Sequence, residues 1–218
     1  MSFQALKNVD LFSGFEDQDI EILSSHTITK TFAKNTIIIN EGDESDSLYI
    51  ILSGTVKIFL SDEDGKEIIL NTQAPGEYFG ELALIDDAPR SASVMTLEDC
   101  KVCIILKSDF EAYISKHPEI CFRLVRGLTK RLRRLTDNVK SLALMDVYGR
   151  VARTLIELAE DHDGKKIVTQ KLTQRDIANM VGASREMVSR ILRDLSTGGY
   201  ITVEKKHITI NERLPAAW

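Results

Sequence analysis

Long apolar runs are absent from this chain of 218 residues. None approaches the roughly 18 consecutive apolar residues that a membrane-spanning helix needs. The amino terminus, Met1-Ser2-Phe3-Gln4, also lacks a basic stretch leading into an apolar signal core. We therefore expect a cytoplasmic protein with no membrane partner.

Cysteine and histidine are scarce, with three and four residues respectively. Three cysteines are too few for a four-thiolate iron–sulfur or zinc site, and the scattered histidines have no neighbouring nucleophile or metal-ligand spacing. We expect neither an enzyme nor a metal site. Cys100 and Cys103 lie in an alternating stretch, where a separation of three residues points side chains to opposite faces of a strand. We interpret them as small buried residues rather than as a redox switch.

The charges are divided unevenly along the chain, although the net charge is only −5. Residues 1–119 carry 9 lysines and arginines against 22 aspartates and glutamates, which gives −13, whereas residues 120–218 carry 19 against 11, which gives +8. An acidic front half repels phosphate and a basic back half attracts it. We therefore expect only the back half to contact nucleic acid.

The front half has the pattern of a β-rich domain. From Thr31 to Leu106 it is rich in Ile, Val, Thr, Tyr and Phe, and Gly42, Gly54, Gly65 and Gly76 recur eleven or twelve residues apart. Short strands at this interval are typical of an all-β sandwich or roll. The clearest predicted strands are 48–52, 55–60 and 67–70, and the apolar residues of the first 23 positions predict a short helical cover.

One segment of the front half interrupts the two-residue alternation. Residues 79–94 predict a single helical turn, a tight loop and a return to strand. Gly80 permits close approach of the backbone to a ligand, and a short helix starting at Glu81 directs N–H groups at an anion. Arg90 can donate two N–H groups to a phosphate, Ser91 can add a hydroxyl, and Glu81 can accept from a ribose hydroxyl. This chemistry suits a cyclic phosphodiester; the alternative is an ion pair between Glu81 and Arg90 that only holds the loop.

Two short helices and a tight turn fit into residues 172–192. Thr173 caps the first helix with Asp176, and Gly182 stands where a left-handed turn residue is needed. Ser184 caps the second helix, whose apolar face consists of Met187, Val188, Ile191 and Leu192. On its polar face, Arg185 and Arg190 can each donate two hydrogen bonds to a guanine, and the carboxylate of Glu186 can accept a hydrogen bond from a cytosine. The segment predicts a helix-turn-helix that reads double-stranded DNA, although an amphipathic helix pair without this function has the same pattern.

Two alternating runs follow the Gly198-Gly199 break. They cover residues 200–203 and 207–210, and Glu204-Lys205-Lys206 joins them. This pattern predicts a β-hairpin with a basic tip, where a winged helix keeps its wing. We expect Thr173, Gln174 and the hairpin lysines to contact DNA phosphates. The full predicted DNA-binding set is Thr173, Gln174, Ser184, Arg185, Glu186, Ser189 and Arg190.

A periodic stretch lies between the two halves. Its apolar positions step alternately by four and three residues through Cys121, Val125, Leu128, Leu132, Leu135, Val139 and Leu142. This heptad seam, with basic residues around it, predicts a helix that pairs with its twin in a parallel coiled coil. A single helix packed on its own sheet has the same stripe. We predict a homodimer whose interface contains Val125, Leu128, Leu132, Leu135, Val139 and Leu142.

The combination of these motifs resembles a known family. The Gly-Glu-Leu-Ala-Leu and Pro-Arg-Ser-Ala runs within residues 80–92 resemble the phosphate-binding cassette of cyclic-nucleotide-binding domains. With the helix-turn-helix at the carboxyl end, nearly the entire chain is similar to the cyclic-AMP receptor and fumarate-nitrate regulator (CRP/FNR) family of bacterial transcription factors. The resemblance implies an α+β protein with a jelly-roll-like β-roll that binds a cyclic nucleotide (1–117), a dimerisation helix (118–144) and a winged helix-turn-helix (145–218).

The resemblance also implies a ligand, cyclic AMP, and a site for it. The implied site residues are Gly80, Glu81, Leu82, Arg90, Ser91 and Thr136. In the family's cyclic-AMP receptors two adjacent hydroxyl residues on the dimerisation helix contact the adenine, and the matching positions here are Leu135 and Thr136. Since leucine cannot bond to a base, cyclic GMP, cyclic di-GMP and a ligand-free or redox-responsive regulator stay open as alternatives.

For DNA and transcription the family implies further expectations. A two-fold dimer implies a pseudo-palindromic operator, with a half-site similar to TGTGA. Ligand binding is expected to reorient the dimerisation helix, and a hinge near residues 144–146 passes this change to the recognition helices. The family also implies RNA polymerase as a partner, with residues 160–164 as the candidate contact surface.

Overall fold

A computed structural model describes residues 6–214, apart from residues 8, 13–14, 45, 163, 171 and 205–206. The chain divides into two compact units, each with a hydrophobic core of its own. The first contains residues 1–60 and 70–132, and the second contains residues 61–69 and 133–218. Three residues of the sequence-based predictions lie outside the described residues: Asp163, Lys205 and Lys206.

Two four-stranded sheets build the β-roll that the alternating sequence predicts. One has the strand order β1-β8-β3-β6 and the other the order β2-β7-β4-β5. Strand β8 pairs antiparallel with both β1 and β3, with Ile104 opposite Ile28 on one side and opposite Tyr49 on the other. The strands are β1 (Ile28–Phe32), β2 (Ile37–Ile39), β3 (Ser47–Ser53), β4 (Val56–Ser61), β5 (Glu67–Gln73), β6 (Tyr78–Phe79), β7 (Ser93–Thr96) and β8 (Cys100–Leu106).

Glycines with positive φ turn the chain between these strands, as their spacing predicts. Gly54, between β3 and β4, has a φ of +86°, and a Cβ atom there would lie 2.5 Å from the backbone oxygen of Asp99. Gly65, between β4 and β5, has a φ of +75°. Only glycine adopts these angles without strain, so the recurring glycines fix where the strands reverse.

Strand β8 separates two hydrophobic cores of the first unit. Cys100 packs with Ile51, Val56 and Phe79, whereas Cys103 packs with apolar residues from the helices. Both cysteines are buried and belong to opposite cores, as their spacing predicts. Burial raises the pKa of both thiols, which makes them poor nucleophiles.

Helices cover the face of the roll to which Cys103 belongs. They are α1 (Asp17–Ser25), α3 (Lys107–Lys116) and the first turns of α4 (Glu119–Leu144), which bury Ile20, Leu23, Phe110, Tyr113, Ile120 and Leu124. The predicted helical cover at the amino end is therefore present. A short helix, α2 (Leu82–Asp86), lies in the segment that interrupts the strands. No helix in the described part of the chain is both long enough and apolar enough to span a membrane.

The second unit combines a helix-turn-helix with a small sheet. Its helices after α4 are α5 (Val147–Leu158), α6 (Gln174–Val181) and α7 (Arg185–Thr197). The sheet has the order β11-β12-β10-β9, with strands β9 (Ala159–His162), β10 (Lys165–Val168), β11 (Ile201–Glu204) and β12 (His207–Ile210). The predicted wing hairpin is present as β11 and β12. Residues 160–162, part of the candidate contact surface at 160–164, belong to β9 and pair with β10, whose Val168 is buried in the core of this unit.

Candidate functional site

The segment between β6 and β7 brings Gly80 and Arg90 together, as the sequence predicts. Arg90 Nη1 donates to Gly80 O and Arg90 Nη2 donates to Ser47 O, each at 2.8 Å. Gly80 has a φ of +84°, and a Cβ atom on it would lie 2.3 Å from Arg90 Nη1. Glycine is therefore needed at position 80 both for its backbone angle and for the position of the guanidinium.

Arg90 is a buried cation, with 6% of its surface exposed. Burial lowers the pKa of the guanidinium, while the nearby Tyr49 and acidic residues such as Asp46 and Glu81 oppose this effect. Arginine nevertheless stays protonated at neutral pH. The hydrogen-bond acceptors of Arg90 are backbone carbonyl oxygens. Among the described residues, no carboxylate forms an ion pair with its guanidinium. A buried charge of this kind, with N–H donors left over, favours the binding of an anion.

Glu81 is also buried, and its carboxylate forms an ion pair with Arg131 of α4. Arg131 Nη2 donates to Tyr78 O at 2.5 Å, and the guanidinium carbon lies 4.7 Å from the centre of the Tyr78 ring. The alternative in which Glu81 and Arg90 form an ion pair is therefore wrong. Sequence reasoning missed Arg131 as a site residue, because several basic residues surround the heptad seam and their spacing does not distinguish it.

The other residues of the predicted ligand site lie at the surface. Helix α2 begins at Leu82, with Glu81 at its amino-terminal cap position, one residue later than predicted. Leu82, Ser91 and Thr136 are exposed, the last of them on α4. The structure thus groups Gly80, Glu81 and Arg90, and the ligand-binding roles of all six residues stay predictions.

Helices α6 and α7 form the predicted helix-turn-helix. Thr173 and Asp176 make a reciprocal capping box, in which Asp176 N donates to Thr173 Oγ1 at 3.1 Å and Thr173 N donates to Asp176 Oδ2 at 2.7 Å. Gly182 ends α6 with a φ of +62°. Ser184 caps α7, and its Oγ accepts from Met187 N at 3.2 Å. Each predicted cap is therefore confirmed.

The polar face of α7 is open to solvent. A depression of about 400 Å³ is lined by Gln174, Arg185, Glu186, Ser189, Arg190 and Arg193. Hydrogen bonds from the backbone at the start of α7 and from Ser184, together with the charge of Arg185, lower the pKa of Glu186. Its carboxylate is therefore ionised at neutral pH and can accept from a base.

Two residues of α7 differ from the sequence-based assignment. Arg193 was not predicted to belong to the polar face, although it follows Ser189 by about one helical turn and the helical period could have identified it. Met187 was predicted to lie on the apolar face but is 46% exposed. The buried stripe runs instead through Val188, Ile191, Leu192 and Leu195, which leaves Met187 at its edge.

The predicted seam of α4 is uncovered in the single chain. Val125, Leu132, Leu135, Val139 and Leu142 are between 41% and 65% exposed, and Leu128 is partly buried. Cys121, at the start of the seam, is exposed as well. The alternative in which this stripe packs on its own sheet does not fit this exposure. A continuous apolar row of this length marks an interaction surface.

Two family models match the chain in the order of these sites. A cyclic nucleotide-binding domain matches residues 29–117, and a Crp-like helix-turn-helix domain matches residues 149–213. The chain is 36% identical over 213 residues to the CRP-like cAMP-activated global transcriptional regulator of Mycobacterium tuberculosis, covering 96% of this chain and 95% of that protein. It is 34% identical over 201 residues to the cAMP-activated global transcriptional regulator Vfr of Pseudomonas aeruginosa, covering 88% and 92%.

A solved structure shares the fold described above. The c-di-GMP responsive global regulator CLP of Xanthomonas campestris matches with a TM-score of 0.80 at 26% identity, over 90% of this chain and 100% of that chain. The two matched domains, the relatives and the fold agree with the family resemblance of the cassette and the helix-turn-helix. The chain is therefore a member of the CRP/FNR family of transcription regulators.

Proposed function

We propose that this protein is a homodimeric transcription regulator that responds to a cyclic nucleotide, with cyclic AMP as the first candidate. The nucleotide binds the β-roll and raises the affinity of the helix-turn-helix for a pseudo-palindromic operator. The observation that carries the proposal is Arg90, a buried guanidinium bonded to two backbone carbonyls and close to Glu81. The names of two relatives, both described as cAMP-activated, support this choice of ligand.

The charge at the cassette suits one phosphodiester group. Arg90 is the only arginine among the first 119 residues, and its unused N–H donors can reach two oxygens of one phosphate. Glu81 accepts a hydrogen bond from the ribose 2'-hydroxyl. It can do so while it stays paired with Arg131, because a carboxylate has enough acceptor positions for two donors. Arg131 would thus hold the orientation of Glu81 when the ligand is bound.

Fewer residues of this chain are candidates for contact with the nucleobase than with the phosphate and the ribose. We propose that Thr136 donates or accepts a hydrogen bond at the base, while Leu135 offers only an apolar surface. Cyclic di-GMP is the second candidate, because the structural relative CLP is described as responsive to it. It carries two phosphates, however, and a single buried arginine matches cyclic AMP or cyclic GMP better.

On the DNA side, the proposal assigns bases to the exposed charges of α7. Arg185 and Arg190 contact guanines and Glu186 contacts a cytosine, because arginine donates in pairs to guanine and a carboxylate accepts from the cytosine amino group. Thr173 and Gln174, at the start of α6, contact phosphates. RNA polymerase is the proposed protein partner, through the exposed Glu160 and Asp161 of β9.

Calorimetric titration with cyclic AMP, cyclic GMP and cyclic di-GMP, with and without operator DNA, tests the ligand. The operator is the sequence that the protein selects from a random DNA pool. We expect cyclic AMP to bind at one site per protomer and to tighten operator binding, and the operator to tighten cyclic AMP binding by the same factor. A protein that binds the operator but gives no heat with any of the three nucleotides is a ligand-independent regulator instead.

Cys121 offers a direct test of the parallel dimer. It begins the seam and is exposed, whereas Cys100 and Cys103 are buried and burial raises the pKa of both thiols. Mild oxidation should join two chains through Cys121, since equal positions of a parallel coiled coil face each other. Cys121→Ser should abolish the cross-link, and Leu132→Asp should give monomers in sedimentation velocity. A dimer that forms without this cross-link contradicts the parallel pairing.

A further inference from the structure

One side chain, Arg150, joins the ends of two helices in the second unit. Arg150 Nε donates to Val181 O at 2.7 Å, and Nη1 donates to Met145 O at 2.9 Å. Nη2 makes a longer contact of 3.5 Å with Gly182 O. Val181 is the last residue of α6, Gly182 is its cap, and Met145 directly follows α4. A single guanidinium thus bridges the carboxyl end of α4 and the turn of the helix-turn-helix.

This arrangement suits arginine in particular. The last carbonyl groups of a helix lack partners within the helix and carry the negative end of its dipole. A planar guanidinium donates in several fixed directions at once, whereas a lysine ammonium is a compact point charge. The backbone of Arg150 is itself held in the first turn of α5, because Asp146 Oδ1 accepts from Gly149 N at 2.7 Å. The bridge therefore starts from a fixed base.

Further contacts connect α4 to the same unit. Leu142 Cδ2 lies so close to Gly182 that a Cβ atom on the glycine would be 3.1 Å from it. Five residues before Leu142, Asp137 O accepts a hydrogen bond from Arg153 Nη1 of α5 at 3.2 Å. Residues 133–144 of α4 belong to the same compact unit as α5, α6 and α7. Before it ends at Leu144, α4 thus contacts α5 at Arg153 and the turn of the helix-turn-helix at Gly182.

We infer that Arg150 is a positioning residue for DNA recognition, which fixes the α6–α7 turn to the end of α4. A displacement of α4 then reaches Arg185 and Arg190 through a rigid joint. The hinge expected near residues 144–146 contains Met145, whose carbonyl oxygen accepts from Arg150 Nη1 at 2.9 Å. This inference rests on the proposed function, in which the ligand acts on DNA binding through α4.

Two variants and a control test the joint. Arg150→Met keeps the length and the apolar stem of the side chain but removes every bridging donor, and Arg150→Lys keeps the charge without the fork. Lys166→Met removes one positive charge from an exposed position of β10 in the same unit. For each protein, calorimetry gives the cyclic AMP affinity without DNA. Binding assays give the affinity for the selected operator and for random DNA, with and without cyclic AMP, below the melting temperature.

For Arg150→Met we expect cyclic AMP to bind as in the unaltered protein, within about twofold, since Arg150 is outside the cassette. The preference for operator over random DNA should fall by about tenfold, and the factor by which cyclic AMP tightens operator binding should approach one. Arg150→Lys should restore the melting temperature more fully than it restores this factor, whereas a purely structural role would restore both in parallel. Lys166→Met should keep both the preference and the factor.

The inference is overturned if Arg150→Met retains both the operator preference and the cyclic AMP factor within about twofold. If cyclic AMP is not the ligand, the experiment gives a different result. In that case the unaltered protein ignores cyclic AMP, and the operator preference of Arg150→Met still decides whether Arg150 positions the recognition helix.

Discussion

The two units use arginine in opposite surroundings. In the first unit Arg90 is enclosed and fixed by Gly80 O and Ser47 O, whereas Arg185 and Arg190 of the second unit project from α7 into solvent. A buried guanidinium is already oriented and partly desolvated, so its few hydrogen bonds to a small anion are strong. An exposed guanidinium meets a large, hydrated partner, for which affinity comes from many separate contacts. Loss of Arg90 should therefore weaken ligand binding by the first unit more than loss of Arg185 or Arg190 weakens DNA binding by the second.

The glutamates beside these arginines differ in the same way. Glu81 is buried and takes its orientation from Arg131, a residue 50 positions away in the chain. Glu186 is exposed, and hydrogen bonds from its own backbone and from Ser184, two residues before it, lower its pKa. The candidate ligand site thus depends on tertiary contacts, and the candidate DNA-binding surface on a local motif.

The strongest test of this difference is Arg90→Leu. We expect the affinity for cyclic AMP to fall by about a hundredfold or more, because two charge-assisted hydrogen bonds to the phosphate are lost at about 1.5 to 3 kcal/mol each. Calorimetry measures the loss, and circular dichroism shows whether the roll is still folded. Arg90→Lys, which keeps the charge, should lose less. An unchanged titration with Arg90→Leu would remove Arg90 from the ligand site.

Arg185→Ala tests the exposed side of the comparison. We expect a loss of about 1 to 3 kcal/mol at the operator and relaxed preference at one base pair, because one bidentate base contact is removed. Binding to random DNA should change little, and competition assays with single-base operator variants identify the position. Equal losses on operator and random DNA would mean that Arg185 contacts phosphate rather than a base.

Ser184→Ala tests whether the DNA site depends on its local cap. The variant removes the acceptor for Met187 N, and loss of such a cap costs about 0.5 to 2 kcal/mol of stability. We expect a lower melting temperature for the second unit and no change in cyclic AMP affinity, measured by calorimetry. Ser196→Ala, at an exposed hydroxyl near the other end of α7, is the control and should melt as the unaltered protein does.

The smallest expected effect concerns Glu186 and pH. Its pKa is lowered in the folded chain by hydrogen bonds from the backbone and from Ser184. A carboxyl group with a depressed folded-state pKa stabilises the fold above its ordinary pKa, and this contribution disappears as the pH falls through the folded-state value. Glu186→Gln should therefore make the melting temperature slightly less dependent on pH below about 4.5. An identical pH profile for both proteins would show that this local interaction is absent.

Features of short sequence range could be predicted, and those of long range could not. The caps Thr173 and Ser184, the turn at Gly182 and the wing hairpin depend on neighbouring residues, and all are confirmed. The grouping of Gly80 with Arg90 was predictable because one short segment contains both. Arg131 and Arg150 were missed, because Tyr78 lies 53 positions from Arg131 and Val181 lies 31 positions from Arg150, and no pattern in the sequence connects these pairs.

The sequence by itself determined three strands of the β-roll, the wing hairpin, the helix-turn-helix, the seam of α4 and the uneven distribution of charge, because periodicity, turn residues and caps act over a few residues. Tertiary structure alone decided that Glu81 pairs with Arg131, that the guanidinium of Arg90 is enclosed by Gly80 O and Ser47 O, and that Arg150 ties α4 to the recognition turn. The physical reason is that a buried charge selects its partners by distance and desolvation, and both quantities exist only when distant segments have packed together.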